Sequence, residues 1–257
     1  PIIMKTAHIL ILALVVSTVL GTLSHAQVPK KKKDPETSLY LAANGLFNRK
    51  LYGLAAGEYE KFIAKYRTHP KAINVEFGLS LSYFELKKYD KAEPLLAKLA
   101  ANANAPQRDH IHLLLGESRL ELKKIPQAEA AFSAGLKLSK PGNVRAFIQK
   151  GLLLAQFKQK KWKEVVATAK LLANRKDEIG LNANMLDARA KYNLKQFKEA
   201  EAALTVLKPM VVKKSYEQEV AYLLAESKRK LGNLKGAVAE YEIAARKTKG
   251  EVAGESL

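Results

Sequence analysis

The chain has 257 residues, 47% hydrophobic and 27% charged, which is too apolar for a disordered polymer and enough to bury a sizeable core. Its 44 basic residues against 25 acidic give a formal charge of +19, and the lack of cysteine excludes both a disulfide framework and attachment through an acylated cysteine. The 14 Gly and 9 Pro fall mostly outside the periodic stretches, which favours long helices over a sheet.

In chain order, the first element is a processing signal over residues 1–26. Met4 and Lys5 make a short basic start, Ile9 to Leu20 is apolar, and Ser24-His25-Ala26 puts small residues at the two cleavage positions. Residues 1–3 precede that methionine and read as an upstream artefact. The apolar run is shorter than the roughly 20 residues that span a bilayer, so export with cleavage after Ala26 is expected, to a periplasmic or extracellular location. Lys30 to Lys33 outweighs Lys5, however, and this charge bias leaves open an uncleaved inner-membrane anchor over residues 9–23. Residues 27–35 form a basic linker.

A repeat then begins. A large residue is followed three places later by a small or short one at Tyr52/Ala55, Tyr89/Ala92, Ile125/Ala128, Trp162/Val165, Phe197/Ala200 and Leu234/Ala237, with a period of 35 to 37 residues. Seven places after each large residue stand Tyr59, Leu96, Phe132, Ala169, Leu204 and Tyr241, and three further Phe62, Leu99, Gly135, Leu172, Leu207 and Ala244. These spacings mark one face of a helix. A second helical pattern lies upstream of each, as in Leu115-Gly116 with Leu120 and Leu122. Each unit therefore reads as a helical hairpin whose small residue lets two helices approach closely. Pro70, Pro106, Pro141 and Pro209 fall between units, Pro126 suits a first helical turn, and Pro94 lies less comfortably deeper in a helix.

Leu115-Gly116 with Ile125, Ala128 and Phe132, and Leu231-Gly232-Asn233-Leu234 with Ala237 and Tyr241, resemble the tetratricopeptide repeat family, here in the form of a bacterial exported protein. The resemblance covers residues 36–249, with a period slightly above the family's 34 and a weak first unit. It implies an all-α, right-handed superhelical solenoid of about six hairpins, at 36–70, 71–105, 106–142, 143–177, 178–213 and 214–249. Armadillo-like and Sel1-like arrays remain alternatives for the subclass. Residues 250–257 resemble the opening of one further, truncated repeat.

No phosphate-cradling loop, nucleophile elbow, zincin helix or calcium loop is present, so no enzyme activity and no cofactor are expected. His110 and His112, two apart on a helix, point about 200° from each other and do not suit metal chelation. Glu117 with Glu121 and Glu240 with Glu242 read as solvated faces.

Two surfaces are candidates for binding. The resemblance implies that first helices line a concave side, which makes Tyr40, Asn44, Phe77, Leu81, Leu113, Glu117, Lys150, Leu154, Met185, Arg189, Tyr222 and Glu226 groove contacts for a protein or peptide. The bland reading of Phe77, Leu81, Leu113 and Met185 is core between repeats. Basic residues gather at the corner of each hairpin, among them Lys87, Lys88, Lys123, Lys124, Lys160, Lys161, Lys228 and Arg229, and stacked corners would make a ridge for anionic envelope polymer. Cations at helix C-termini complement the dipole, which is the structural explanation of the same pattern. Nucleic acid is not expected as a partner, because the ridge lacks interleaved aromatic platforms. The function expected is thus a non-catalytic scaffold or adaptor of the cell envelope, or else a binder of anionic polymer.

Overall fold

The computed structural model describes residues 34–212 and 216–245; the signal over 1–26, all but the end of the 27–35 linker, and the further repeat start over 250–257 lie outside them. Among the described residues there are twelve α-helices, one 3-10 turn and no strand. The helices are α1 Pro35–Asn48, α2 Tyr52–Lys65, α3 Ala72–Glu85, α4 Tyr89–Ala101, α5 Arg108–Glu121 and α6 Ile125–Leu138. They continue as α7 Asn143–Lys158, α8 Trp162–Lys170, α9 Glu178–Asn193, α10 Phe197–Leu207, α11 Glu217–Lys230 and α12 Leu234–Ala244, with the 3-10 turn at Lys208–Met210. The chain divides into two compact units between Gly151 and Leu152, within α7.

In both units the fold is a series of antiparallel helical hairpins, as the periodicity predicts. Each of the six large residues is the first residue of a second helix. The small residues three places on are sealed: Ala55, Ala92, Ala128, Val165 and Ala200 are 0% exposed and Ala237 is 2% exposed. In unit one the core runs through Phe47, Tyr59, Phe62, Phe84, Leu96, Leu99, Ile111 and Leu114; in unit two it includes Leu181, Met185, Leu204, Leu207, Val220 and Leu224. Pro94 lies inside α4 with an exposed side chain, and the helix continues past it to Ala101.

Every first helix ends in the same way. The Lys123 N–H donates to the Leu120 carbonyl at 3.0 Å and the Lys124 N–H to the Arg119 carbonyl at 2.8 Å, which satisfies two carbonyls of the last turn in a Schellman closure. The pattern recurs at all six corners. Its pivot is a residue in the left-handed region: Lys50 (φ 61°), Lys87 (57°), Lys123 (59°), Lys160 (57°), Lys195 (62°) and Gly232 (83°). Glycine takes this conformation freely, whereas a residue with a Cβ is disfavoured there by about 1 kcal/mol or more.

Across four of these corners an aromatic near the end of the first helix meets the ring that opens the second, edge to face. The pairs are Phe47–Tyr52 (5.2 Å between centroids), Phe84–Tyr89 (5.4 Å), Phe157–Trp162 (5.3 Å) and Tyr192–Phe197 (5.5 Å). Such pairs add about 0.5–1.5 kcal/mol beyond the area they bury. Glycines receive other rings. A Cβ on Gly116 would stand 2.5 Å from the fully buried Phe132 ring, a Cβ on Gly151 would collide with that ring from the next first helix, and one on Gly78 would meet Tyr59 at 2.5 Å.

Candidate interaction surfaces

The twelve first-helix positions do not form the open row that the sequence suggests. Phe77 (6% exposed), Leu81 (6%), Leu113 (1%) and Met185 (3%) are core residues, so their reading as contacts is corrected in favour of packing between repeats. The cause is close approach of neighbouring first helices. α1 touches α3, α9 touches α11, and Phe77 of α3 meets His110 of α5 edge to face at 6.0 Å. Tyr40, Asn44, Glu117, Lys150 and Leu154 are half-buried. Asn44 accepts a 2.6 Å hydrogen bond from the Tyr59 hydroxyl, and the Lys71 ammonium sits 4.9 Å over the Tyr40 ring.

Glu226 is also corrected as a free contact. Its carboxylate accepts from Arg229 Nε (3.0 Å) and Nη2 (2.7 Å), from the Tyr192 hydroxyl (3.1 Å) and from the Tyr241 hydroxyl, which joins α9, α11 and α12. The Arg229 bond, then the Tyr241 bond, hold its carboxyl down to about 2. Arg189 pairs with Glu219 at 2.8 Å while lying 5.4 Å over the Phe157 ring. Of the twelve, Tyr222 stands clear: it is 50% exposed and packs edge to face on Tyr241 at 6.1 Å.

The corner cations separate into two groups. Lys124 is paired with Glu93 (3.1 Å), Lys228 with Glu240 (2.9 Å) and Arg229 with Glu226, so these three serve the hairpins themselves. Lys87, Lys88, Lys123 and Lys160 are exposed, and Lys161 is half-buried. Glu240, read from sequence as a solvated carboxylate, is instead 4% exposed and bound by Lys208 (2.7 Å) and Lys228 (2.9 Å). Burial pushes its carboxyl up, but the two ammonium hydrogen bonds outweigh burial and the net displacement is downward.

His110 and His112 are buried on α5, and the Cβ of His112 lies against Gly135 of α6. Burial, then the Arg108 and Arg119 charges, push the His112 imidazole below its ordinary value. Among the described residues no group of three or more His, Asp or Glu side chains is placed to hold a metal ion.

No protein-family model and no curated protein matches this sequence. Solved structures do match in shape. A tetratricopeptide repeat protein from Parabacteroides merdae superposes with a TM-score of 0.59 at 12% identity, over 80% of this chain and 77% of that one. MamA MSR-1 gives 0.57 at 16% identity, over 68% of this chain and 95% of its own. A putative kinesin light chain from Podosopora anserina, described by its nearly identical TPR-like repeats, gives 0.53 at 18%, over 70% and 98%.

The fold is the tetratricopeptide repeat.

Within that fold the chain carries three features that the sequence reading missed. One is the left-handed lysine at five corners, the second is the aromatic clasp beside it, and the third is the glycine socket for Tyr59 and for Phe132. Each had a signal. The left-handed residue always stands two places before the large residue, and Gly232 shares that place with the five lysines. The socket glycines follow their rings by 19 residues in both cases, 59 to 78 and 132 to 151.

Proposed function

We propose that the protein is a non-catalytic scaffold or adaptor that holds a partner protein or peptide against the first helices of its tetratricopeptide hairpins, chiefly those of unit two. The observation that carries this reading is Tyr222, a half-exposed ring fixed on Tyr241 beside the Glu226–Arg229 pair. A pre-positioned aromatic next to satisfied charges loses little freedom on binding, and such anchors concentrate interface energy. Arg189, held between Phe157 and Glu219, supplies a neighbouring charged contact from the same unit. The N-terminal signal reading sets this scaffold in the cell envelope, exported and cleaved before Gln27, with membrane attachment only where the segment stays uncleaved.

A photo-crosslinking residue placed at position 222, with Val206 of α10 as the exposed comparison site, tests the reading in cells of the source organism. A discrete adduct from 222 and none from 206 is expected, and Tyr222→Ala should then weaken the identified partner about tenfold or more. Equal labelling from both sites would overturn it. N-terminal sequencing of the mature chain tests the location, and retention of Met4 would replace export by anchoring.

A second reading, the binding of anionic envelope polymer along the corners, is favoured by exposed lysines that no ion pair claims. Lys50, Lys87, Lys88, Lys123 and Lys160 have no acidic partner among the described residues.

A further inference from the structure

We infer that Lys50, Lys87 and Lys123, the left-handed pivots of the three corners of unit one, are the recognition row for a linear phosphate-bearing polyanion. The inference rests on the second reading above and assigns it a site. All three residues have positive φ (61°, 57° and 59°), a conformation in which lysine is strained and glycine is not. The sixth corner shows that the same closure forms around glycine, since Gly232 at φ 83° makes the matching pair of bonds to Arg229 and Lys228 carbonyls. The turn therefore does not require lysine. Nor does an ion pair retain it, because each of the three ammonium groups is exposed and unclaimed among the described residues.

The row has direction as well as charge. Consecutive helices α1 to α6 pack in order, α1 touches α3, and α3 reaches α5 through Phe77 and His110, so the corners recur at about one helix spacing, about 10 Å. Arg49 and Lys88 flank the pivots and are exposed and unpaired among the described residues, while Asp90 and Glu121 are the exposed carboxylates alongside. Glu93, which would oppose the row, is taken up by Arg119 at 2.9 Å and Lys124 at 3.1 Å. Ammonium groups are compact point charges suited to phosphate oxygens, and Arg49 is the one guanidinium available for bidentate contact in this row. A flexible polymer of regularly spaced phosphates can place one group at each corner without a shaped pocket.

The test uses the full chain and long-chain inorganic polyphosphate, with affinity measured at several salt concentrations. Replacing the three pivots by glycine, Lys50→Gly with Lys87→Gly and Lys123→Gly, should raise the melting midpoint by about 6–12 °C, as strain is relieved. The same change should weaken polyphosphate at least tenfold and flatten the salt dependence. The triple glutamine variant should lose the affinity without gaining stability, and the triple arginine variant should keep it. Lys65→Gln with Lys137→Gln and Lys140→Gln removes equal charge from exposed positions outside the corners and should change affinity less than about threefold. If the parent fails to bind polyphosphate at low salt, the polymer reading itself falls. If the parent binds and the pivot and control triples weaken it alike, that reading survives and the recognition row is overturned. Tighter binding to phosphatidylglycerol vesicles than to polyphosphate would overturn the assignment of a linear polymer.

Discussion

Gly116 and Gly57 should respond to the same substitution with opposite signs. Both lie inside helices, where Gly→Ala gains about 1 kcal/mol from propensity alone. A Cβ at Gly57 meets nothing within 4 Å, so Gly57→Ala should stabilise by about 1 kcal/mol, or about 2–4 °C in the melting midpoint. At Gly116 the Cβ would stand 2.5 to 2.7 Å from three atoms of the Phe132 ring. That ring is 0% exposed and the same three atoms also lie against Gly151, so it cannot move away freely. Overpacking of a filled core costs about 1–3 kcal/mol, and a confined ring belongs at the upper end. Setting about 3 kcal/mol against the propensity gain leaves Gly116→Ala destabilised by about 2 kcal/mol, or about 4–8 °C. Urea denaturation followed by circular dichroism at 222 nm measures both variants. Phe132→Leu should largely relieve the clash, giving a coupling with Gly116→Ala of at least about 1 kcal/mol in a double-mutant cycle. Stabilisation by Gly116→Ala, or additivity of the two changes, would refute the packing argument.

At the sealed hairpin contacts, Ala92→Leu and Ala200→Leu should each destabilise by about 1–3 kcal/mol, and unchanged melting of both would contradict the observed register. The Glu226 carboxyl lies at about 2, below its ordinary value, so its stabilising effect is complete above about pH 4.5 and is lost as pH falls towards 2. Denaturation midpoints at pH 6, 4 and 3 should therefore decline less in Glu226→Gln than in the parent. His112 is displaced in the other chemical sense: its neutral form is favoured, so the folded chain gives up stability as pH drops below 6.5 towards the lowered value. An NMR titration of the His112 imidazole should show a midpoint below that of a free histidine, and a midpoint above it would exclude the burial argument. For the corner clasp, Phe84→Leu and Tyr89→Leu should couple by about 0.5–1.5 kcal/mol.

The hairpins were legible because their determinants are local. A bulky residue that opens a helix and a small one on the next turn recur at a fixed period, and the small position is buried in every hairpin, although Leu234 at the last bulky position is 64% exposed. The first-helix surface was less legible. Whether Phe77 or Leu113 faces water depends on how closely the neighbouring first helix approaches, and the period carries no such information. The same holds for Glu226 and Glu240. Their partners Tyr192 and Lys208 are 34 and 32 residues away, on other hairpins, so a reading confined to nearby lysines and arginines mistook Glu240 for a solvated face. The corner lysines are visible in the sequence as a charge pattern, but their left-handed backbone is signalled there only by Gly232 in the same register.

The glycine sockets also fix the order in which hairpins can follow one another. Tyr59 and Phe132 each require a glycine in the next first helix, and Gly78 and Gly151 supply it. At the corresponding place between them stands Leu114, and the side chain that precedes it in register is the smaller Leu96. The modules are consequently not interchangeable parts. Excising residues 71–105 would bring Leu114 to the place that Tyr59 needs empty, whereas a graft that carried Gly78 along with its neighbours would keep the joint intact. Duplication or shuffling across these two junctions keeps the joint only where ring and gap travel together, so the order of hairpins is constrained by steric fit at those two seams.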